Sequence, residues 1–191
     1  ANSIEQTIES IRDDVIDESI SEYIPPQSMV EQWDVDGLEK ALTTEFALPV
    51  PVSQWLEEDK ALYEETLRQR IKQVVIDAYT EKSKEVGAPR MRQIEKHIML
   101  QILDHQWKEH LATMDHLRQG IHLRGYAQKN PKQEYKRESF ELFKQLLNDI
   151  KHETVRFLSH AQFVNDDEVK RLEEQARAQA EAQSLKFEHD Q

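Results

Sequence analysis

The sequence predicts an all-α protein, and three observations support this. Apolar residues recur at steps of three and four along most of the chain, which is the spacing of one helix face. Runs typical of β-strands are nearly absent, and only 4 of the 191 residues are glycine. Charged residues make up 32% of the chain, which is typical of helices that lie in solvent. The expected architecture is a small helical region, then a long antiparallel hairpin of two helices, then a helical or disordered tail.

The first helix is predicted from apolar residues at Ile4, Ile8, Ile11 and Val15. The consecutive prolines at 25 and 26 end it, since proline cannot continue the hydrogen-bond ladder of a helix.

Two further helices are predicted before residue 88. Asp36 is expected to cap the second helix, with Glu39 as the reciprocal partner of a capping box. A longer helix is expected over residues 53–86, and Gly87 and Pro89 end it. Residues 1–87 are therefore expected to form one helical module.

Two apolar heptad runs on either side of a short polar loop predict the hairpin. The first run is Leu100, Leu103, Trp107, His110, Met114, Leu117 and Ile121; the second is Phe140, Phe143, Leu147, Ile150, Thr154, Phe157 and Ala161. Folding at the loop places Ile121 opposite Phe140, and His110 close to Ile150. The seam between the helices is expected to consist of Leu103, Trp107, His110, Met114, Leu117, Ile121, Phe140, Phe143, Leu147 and Ile150.

A second apolar stripe on the first hairpin helix holds Met91, Ile94, Ile98 and Ile102. The stripe predicts packing against an element other than the hairpin partner, and an element missing from this chain is one candidate. The stripe is expected to be exposed in this chain, so some self-association is expected.

The loop at the hairpin tip has a specific turn chemistry. Gly125 suits a left-handed position after a helix, Asn130 suits an N-cap, and Pro131 suits the first helical position. Tyr126 lies at the tip, where an aromatic ring offers a rigid contact surface. From spacing alone, Tyr126 either contacts a partner or folds back onto the hairpin.

Several function classes are disfavoured. The chain has a net charge of −12 and no cysteine, so a nucleic-acid partner and thiolate metal sites are not expected. The histidines of the first hairpin helix are never three or four residues apart, and only His105 and Glu109 share a face, so no metal site is expected. No nucleotide-binding loop is present. A structural or oligomerisation hairpin and a metalloenzyme remain as rival interpretations.

Several motifs resemble the SecA family of bacterial preprotein translocase ATPases. They are WKEHL at 107–111, MD at 114–115, LRQGIHLRGYAQK at 117–129 and PKQEYKRE at 131–138. YIPPQS at 23–28 is similar to the helical wing domain of that family. The resemblance covers about residues 1–164.

The resemblance implies a domain organisation and a contact site. Residues 1–87 would be the helical wing domain, 88–164 the two-helix finger of the helical scaffold domain, and 165–191 the start of the C-terminal linker. The finger tip would contact the translocating preprotein at the mouth of the SecY channel, with Tyr126 as the principal contact. The implied contact residues are Leu123, Arg124, Gly125, Tyr126, Ala127, Gln128 and Lys129. The hairpin would also restrain the ATPase motor.

The family's motor motifs and its zinc module are not found in this chain. The chain itself is therefore expected to be a non-enzymatic fragment without a cofactor, whereas ATP and Mg²⁺ belong to the full-length protein. The implied partners are the SecY channel, unfolded preprotein, other SecA domains and a second copy. The implied location is the cytoplasm, peripherally on the inner membrane.

Overall fold

A computed structural model describes residues 2–123, 130–163 and 170–178. Its regular structure over these residues is helical and includes no strand, which confirms the all-α prediction. The main α-helices are α1 (Asn2–Tyr23), α2 (Val35–Phe46), α3 (Val52–Glu58), α4 (Glu64–Val86), α5 (Ala88–Gly120) and α6 (Pro131–His160). A 3₁₀ turn lies at Val30–Gln32, another follows α5 at 121–123, and residues 170–178 of the tail are helical.

Helices α1 to α4 enclose the larger of two apolar cores. The predicted apolar face of α2, made of Leu38, Leu42 and Phe46, is buried there, as is Val15 of α1. Helix α1 ends just before the two prolines, as predicted. Arg68 of α4 donates to the carbonyl of Ile24, so α4 also holds the chain where it leaves α1.

The predicted cap of α2 is wrong by two residues. Asp34 is the N-cap, and its carboxylate accepts from the backbone N–H of Gly37 at 3.0 Å. Asp36 lies inside the first turn. Glu39 caps a different helix, because its Oε1 accepts from the backbone N–H of Ser53 at the start of α3, at 2.8 Å.

The predicted single helix over residues 53–86 is two helices. The break follows Asp59, whose side chain accepts from the backbone N–H of Ala61 at 2.9 Å. An aspartate that bonds the backbone two residues ahead offers the chain a turn in place of a helix. The turn also carries Leu62 into the core, where it is buried.

A sharp corner at Gly87 joins α4 to α5. Gly87 has a φ of 91°, a left-handed value that favours glycine. It ends α4 and precedes α5, with Pro89 in the first turn of α5. At the other end of the hairpin, Asn130 caps α6 as predicted, because its Oδ1 accepts from the N–H groups of Lys132 and Gln133.

The base of the hairpin, meaning the start of α5 and the end of α6, packs on α1 to α4. Val155 of α6 belongs to the larger core, and the smaller core joins Ile8 of α1, Ile98 of α5 and Leu158 of α6. The predicted second stripe, with Met91 and Ile98 buried, is thus covered by helices of this same chain. The domain boundaries at 87 and 164 stay a prediction.

The register of the hairpin differs from the predicted one. The ring centroid of His110 lies 6.4 Å from that of Phe143, whereas the prediction placed His110 near Ile150. Phe143 and Ile150 are about two turns apart on α6. His110 therefore faces a position on α6 that is about two turns nearer the start of that helix than the mirrored heptad runs predict.

Candidate functional site

The hairpin tip is the predicted contact site. Leu123, the last described residue before it, is 72% exposed, and Ile121 beside it is buried. Arg124, Gly125, Tyr126, Ala127, Gln128 and Lys129 lie outside the described residues, so their contact role stays a prediction. The described chain resumes at the Asn130 cap.

The ten residues of the predicted seam fall into two groups. Ile121 and Ile150 are buried, and His110, Met114 and Leu117 are half-buried. The other five are Leu103, Trp107, Phe140, Phe143 and Leu147, which are between 44% and 60% exposed. Partial exposure is compatible with a seam between only two helices, and the ring of Phe143 lies 6.4 Å from that of His110 on the other helix, so for those five the seam stays a prediction.

Buried polar residues explain the difference. The inward stripe of α5 includes Glu95 and Gln106, both buried. A search for apolar residues alone passes over Gln106 and selects Trp107 beside it. On α6 the same shift by one position selects Leu147 in place of Leu146, which is buried.

An exposed apolar face therefore runs along the hairpin. It comprises Leu100, Leu103, Trp107 and Leu111 of α5 with Phe140, Phe143, Leu147 and Phe157 of α6. The His110 ring connects the two helices on this face, because it lies 5.6 Å from the Trp107 ring and 6.4 Å from the Phe143 ring. We call these eight residues the apolar face. Extended apolar surfaces of this kind mark sites of protein interaction.

A small surface pocket of about 120 Å³ lies between α5 and α6. It is lined by polar residues such as Gln106 and Gln145 together with Leu142 and Leu146.

The base of the hairpin is held by a buried polar cluster. The side chain of Glu95 is fully buried, and its Oε1 accepts from the Tyr79 hydroxyl of α4 at 3.1 Å and from Arg92 at 2.5 Å. Arg92 also pairs with Glu5 of α1 at 2.7 Å. Glu95 and Arg92 of α5 therefore link this helix to α4 through Tyr79 and to α1 through Glu5.

Burial sets the ionisation of this cluster. Loss of solvent raises the pKa of Glu95, although the neighbouring Arg92 and the Tyr79 hydroxyl act in the opposite direction. Burial, followed by the Glu95 charge, raises the pKa of Tyr79 as well. The hydroxyl of Tyr79 therefore stays protonated and donates to Glu95.

Ion pairs fix α6 to α1 and α2. Lys151 pairs with Asp14 at 2.7 Å, and His152 pairs with Glu18 at 2.8 Å. Arg156 pairs with Glu45 of α2. These pairs are partly in solvent, so they orient α6 more than they stabilise it.

Lys82 of α4 holds the end of α6. Its Nζ donates to the carbonyls of Leu158, Ser159 and Ala161 at 3.0, 2.7 and 2.9 Å. These carbonyls belong to the end of a helix and have no partner within it. Sequence reasoning missed both Lys82 and Glu95, although a lone glutamate between Met91 and Ile98 on an apolar stripe was a signal for a buried partner.

One histidine and one glutamate share a face of α5. His105 pairs with Glu109 at 3.4 Å, and no third His, Cys, Asp or Glu within the described ranges joins a group able to hold a metal ion. Among the described helices, none combines the length and the apolar character that crossing a membrane requires.

Known proteins are similar to almost the whole chain. Residues 1–162 match a family described as "SecA Wing and Scaffold domain". The protein named "Protein translocase subunit SecA" is 55% identical over 185 residues in Pseudomonas putida (strain W619) and in Stutzerimonas stutzeri (strain A1501). Each alignment covers 97% of this chain and 20% of the relative, so the chain spans about a fifth of the length of the curated relatives it matches. The chain belongs to the SecA family, within its wing and scaffold region.

Proposed function

We propose that the hairpin is the arm by which a preprotein translocase contacts the polypeptide it moves. One observation carries this proposal: α5 and α6 have 33 and 30 residues, about 50 and 45 Å of helix, and are anchored at only one end. The described ends of α5 and α6 next to the tip, at Gly120 and Pro131, are those furthest along the helices from the buried residues of the base. Residues 123–129 would meet the unfolded chain at the mouth of the SecY channel, with Tyr126 as the principal contact.

The anchored base supports a mechanical role. Glu95, Arg92 and Tyr79 link α5 to α4 through hydrogen bonds, and Lys82 holds the end of α6. A displacement of the base would thus be passed along two paired helices to the tip. A flat aromatic at the tip suits contact with varied side chains and backbone, because ring contact requires no particular sequence.

The apolar face supports a contact with the rest of a longer protein. The predicted Met91 stripe is covered within the chain, so the surface left for other SecA domains is the one with Leu103, Trp107 and Phe143. Such a contact would let the hairpin restrain the motor. ATP and Mg²⁺ would act in motor domains that are distinct from this segment, which holds no cofactor in this proposal. The location we propose is the cytoplasmic side of the inner membrane.

A structural or oligomerisation hairpin is the second candidate. The exposed apolar face favours it, because a second copy of the chain would cover the same residues. In that case the tip would be dispensable for transport.

Site-specific crosslinking separates the two candidates. The segment has no cysteine, so Tyr126→Cys in an otherwise cysteine-free full-length SecA carrying this segment gives one reactive thiol. The translocase is stalled during transport of a preprotein. Ala112→Cys, exposed in α5 at a distance from the tip, is the matched control.

We expect Tyr126→Cys to form adducts with the moving polypeptide that depend on ATP and on the channel, and Ala112→Cys to form few. Adducts only to a second copy of SecA would support the structural hairpin instead. Unchanged transport by Tyr126→Ala would also count against the proposal.

A further inference from the structure

Arg12 of α1 is a buried charge without a counter-ion in contact. Its residue is 9% exposed, and its Nε has no acceptor. The ring centroid of Tyr79 lies 5.2 Å from its guanidinium carbon. Buried charges in proteins are normally paired with an opposite charge or bind a ligand.

The nearby carboxylates do not pair with Arg12. Oε1 of Glu95 already accepts from Tyr79 and Arg92, and Glu5 pairs with Arg92. Arg92 therefore pairs with both acidic side chains of this junction, and Arg12 acts on Glu95 only through the field of its charge, which lowers the pKa of that carboxyl. No acceptor lies within hydrogen-bond distance of Arg12 Nε.

Arg12 lines a cavity of about 280 Å³ between the ends of α2 and α6. Its other polar lining residues include Lys82, Ser159, His160 and Gln162, and none of the described residues around it is Asp or Glu. The neighbouring cavity on α1, of about 360 Å³, also touches Arg12 but includes Glu5 and Glu9. An anion is thus favoured in the first cavity over the second.

The carbonyl groups at these helix ends would repel an anion if they were free. Lys82 donates to the carbonyls of Leu158, Ser159 and Ala161, and His160 bonds the carbonyl of Thr44 at 2.6 Å. The partial negative charge of both helix ends is therefore compensated by cationic or polar side chains. The Nε of Arg12, by contrast, has no acceptor.

We propose that this cavity binds a compact oxyanion of the phosphate class, with Arg12 as its principal partner. The planar guanidinium can donate two parallel hydrogen bonds to one tetrahedral anion. Ser159 and Gln162 are further donors around the cavity. The volume accommodates one phosphate with a few waters. The ligand is either free phosphate or the phosphate group of a larger molecule.

The test is a titration of the 191-residue chain with inorganic phosphate, followed by ¹H–¹⁵N NMR and calorimetry. Potassium chloride at matched ionic strength is the blank. The variants are Arg12→Gln, which removes the charge, and Arg12→Lys, which keeps the charge without the planar fork. Lys60→Gln removes the same charge at an exposed position and is the matched control.

We expect saturable amide shifts near Ala47, Leu48 and Gln162, and affinity lower by about tenfold or more in Arg12→Gln, since a hydrogen bond to a charged group is lost. Arg12→Lys should bind more weakly than the wild type, and Lys60→Gln should bind like it. If Arg12→Gln fails to fold, Arg12→Lys carries the comparison. Equal responses in the wild type and both Arg12 variants, or shifts that never saturate, would overturn the proposal.

A parallel titration with glycerol 3-phosphate identifies the source of the anion. Binding as tight as that of inorganic phosphate supports a phosphate group on a larger molecule. Binding of inorganic phosphate alone supports the free ion. Binding of neither overturns the site.

Discussion

The base and the distal half of the hairpin belong to the same two helices but are covered very differently. At the base, Met91, Ile98 and Leu158 are buried against α1 and α4. In the distal half, Trp107 and Phe143 are exposed. Apolar side chains at helical spacing therefore serve as core in one region and as surface in the other. The difference indicates that the fold secures the hairpin at one end and leaves apolar side chains exposed along its flank.

The polar residues of the two regions differ in the same way. Glu95 at the base is fully buried and accepts two hydrogen bonds. Gln106 in the distal half lines a cavity between the helices. Glu95 therefore fixes the geometry of packed neighbours, whereas Gln106 lies beside a small surface pocket.

The largest expected effect is loss of a core side chain at the base. Leu158→Ala should lower the free energy of unfolding by about 2–5 kcal/mol, because the side chain is enclosed and leaves a cavity. Leu147→Ala, on the same helix but exposed, should lower it by less than about 1 kcal/mol. Urea unfolding of both variants measures this, and equal losses would mean that the two regions do not differ.

The second effect is a pH dependence that originates at Glu95. Its pKa is raised above the ordinary 4.5 in the folded chain, so between these two values the folded state holds more protons than the unfolded state. The stability contributed by Glu95 is therefore full below pH 4.5 and is lost as pH rises through the folded pKa.

Glu95→Gln removes this titration. The stability of the variant relative to the wild type should be constant below pH 4.5 and rise with pH above it. Urea unfolding across this range is the measurement, and Glu57→Gln, at an exposed position, is the control. A flat difference across the range would show that Glu95 does not titrate with folding.

A third, smaller effect concerns the start of α6. Asn130→Ala should destabilise the helix end by about 1 kcal/mol, because the N–H groups of Lys132 and Gln133 lose their acceptor. Asn130→Asp should keep the cap. Hydrogen exchange of the first turn of α6 measures the local effect, and equal protection in Asn130→Ala and the wild type would exclude a capping role.

The smallest effect is expected for the ion pair between Lys151 and Asp14. A double-mutant cycle with Lys151→Met and Asp14→Asn should give a coupling of about 0.2–1 kcal/mol, because both side chains are partly in solvent. Added salt should reduce it. A coupling several times larger, or one unaffected by salt, would show that this pair is a main anchor of α6.

Helix ends were predictable wherever one residue type decides them. Proline at 25, glycine at 87 and asparagine at 130 each restrict the backbone or satisfy its orphan groups, and each lies at or next to an observed boundary. The break after Asp59 was not predicted, because it depends on a side chain bonding its own backbone and on Leu62 reaching the core. The residues before and after the break both suit a helix, so the sequence pattern alone favours one continuous helix.

It was harder to predict which side of each hairpin helix is buried than to predict the helices themselves. Both hairpin helices exist as predicted, but the face that each turns inward includes Glu95, Gln106 and Thr154, which are buried polar residues. The burial of Glu95 depends on Tyr79, a partner far away in sequence. An apolar pattern read along one helix holds no information about such a partner, and it also selects Trp107 and Leu147 beside the buried Gln106 and Leu146.

The position of Val155 in the larger core has a consequence for the order of folding. The residues around it on α1 to α4 precede it by some eighty positions or more and leave the ribosome first, yet their core lacks one wall until α6 arrives. Lys82 likewise donates to carbonyls that lie 76 to 79 residues further along the chain. Contacts that close long loops form late. During synthesis the first helices should therefore remain loosely packed until α6 has been made and packs against them. Helices α1 to α4 and the base of the hairpin thus complete their folding together.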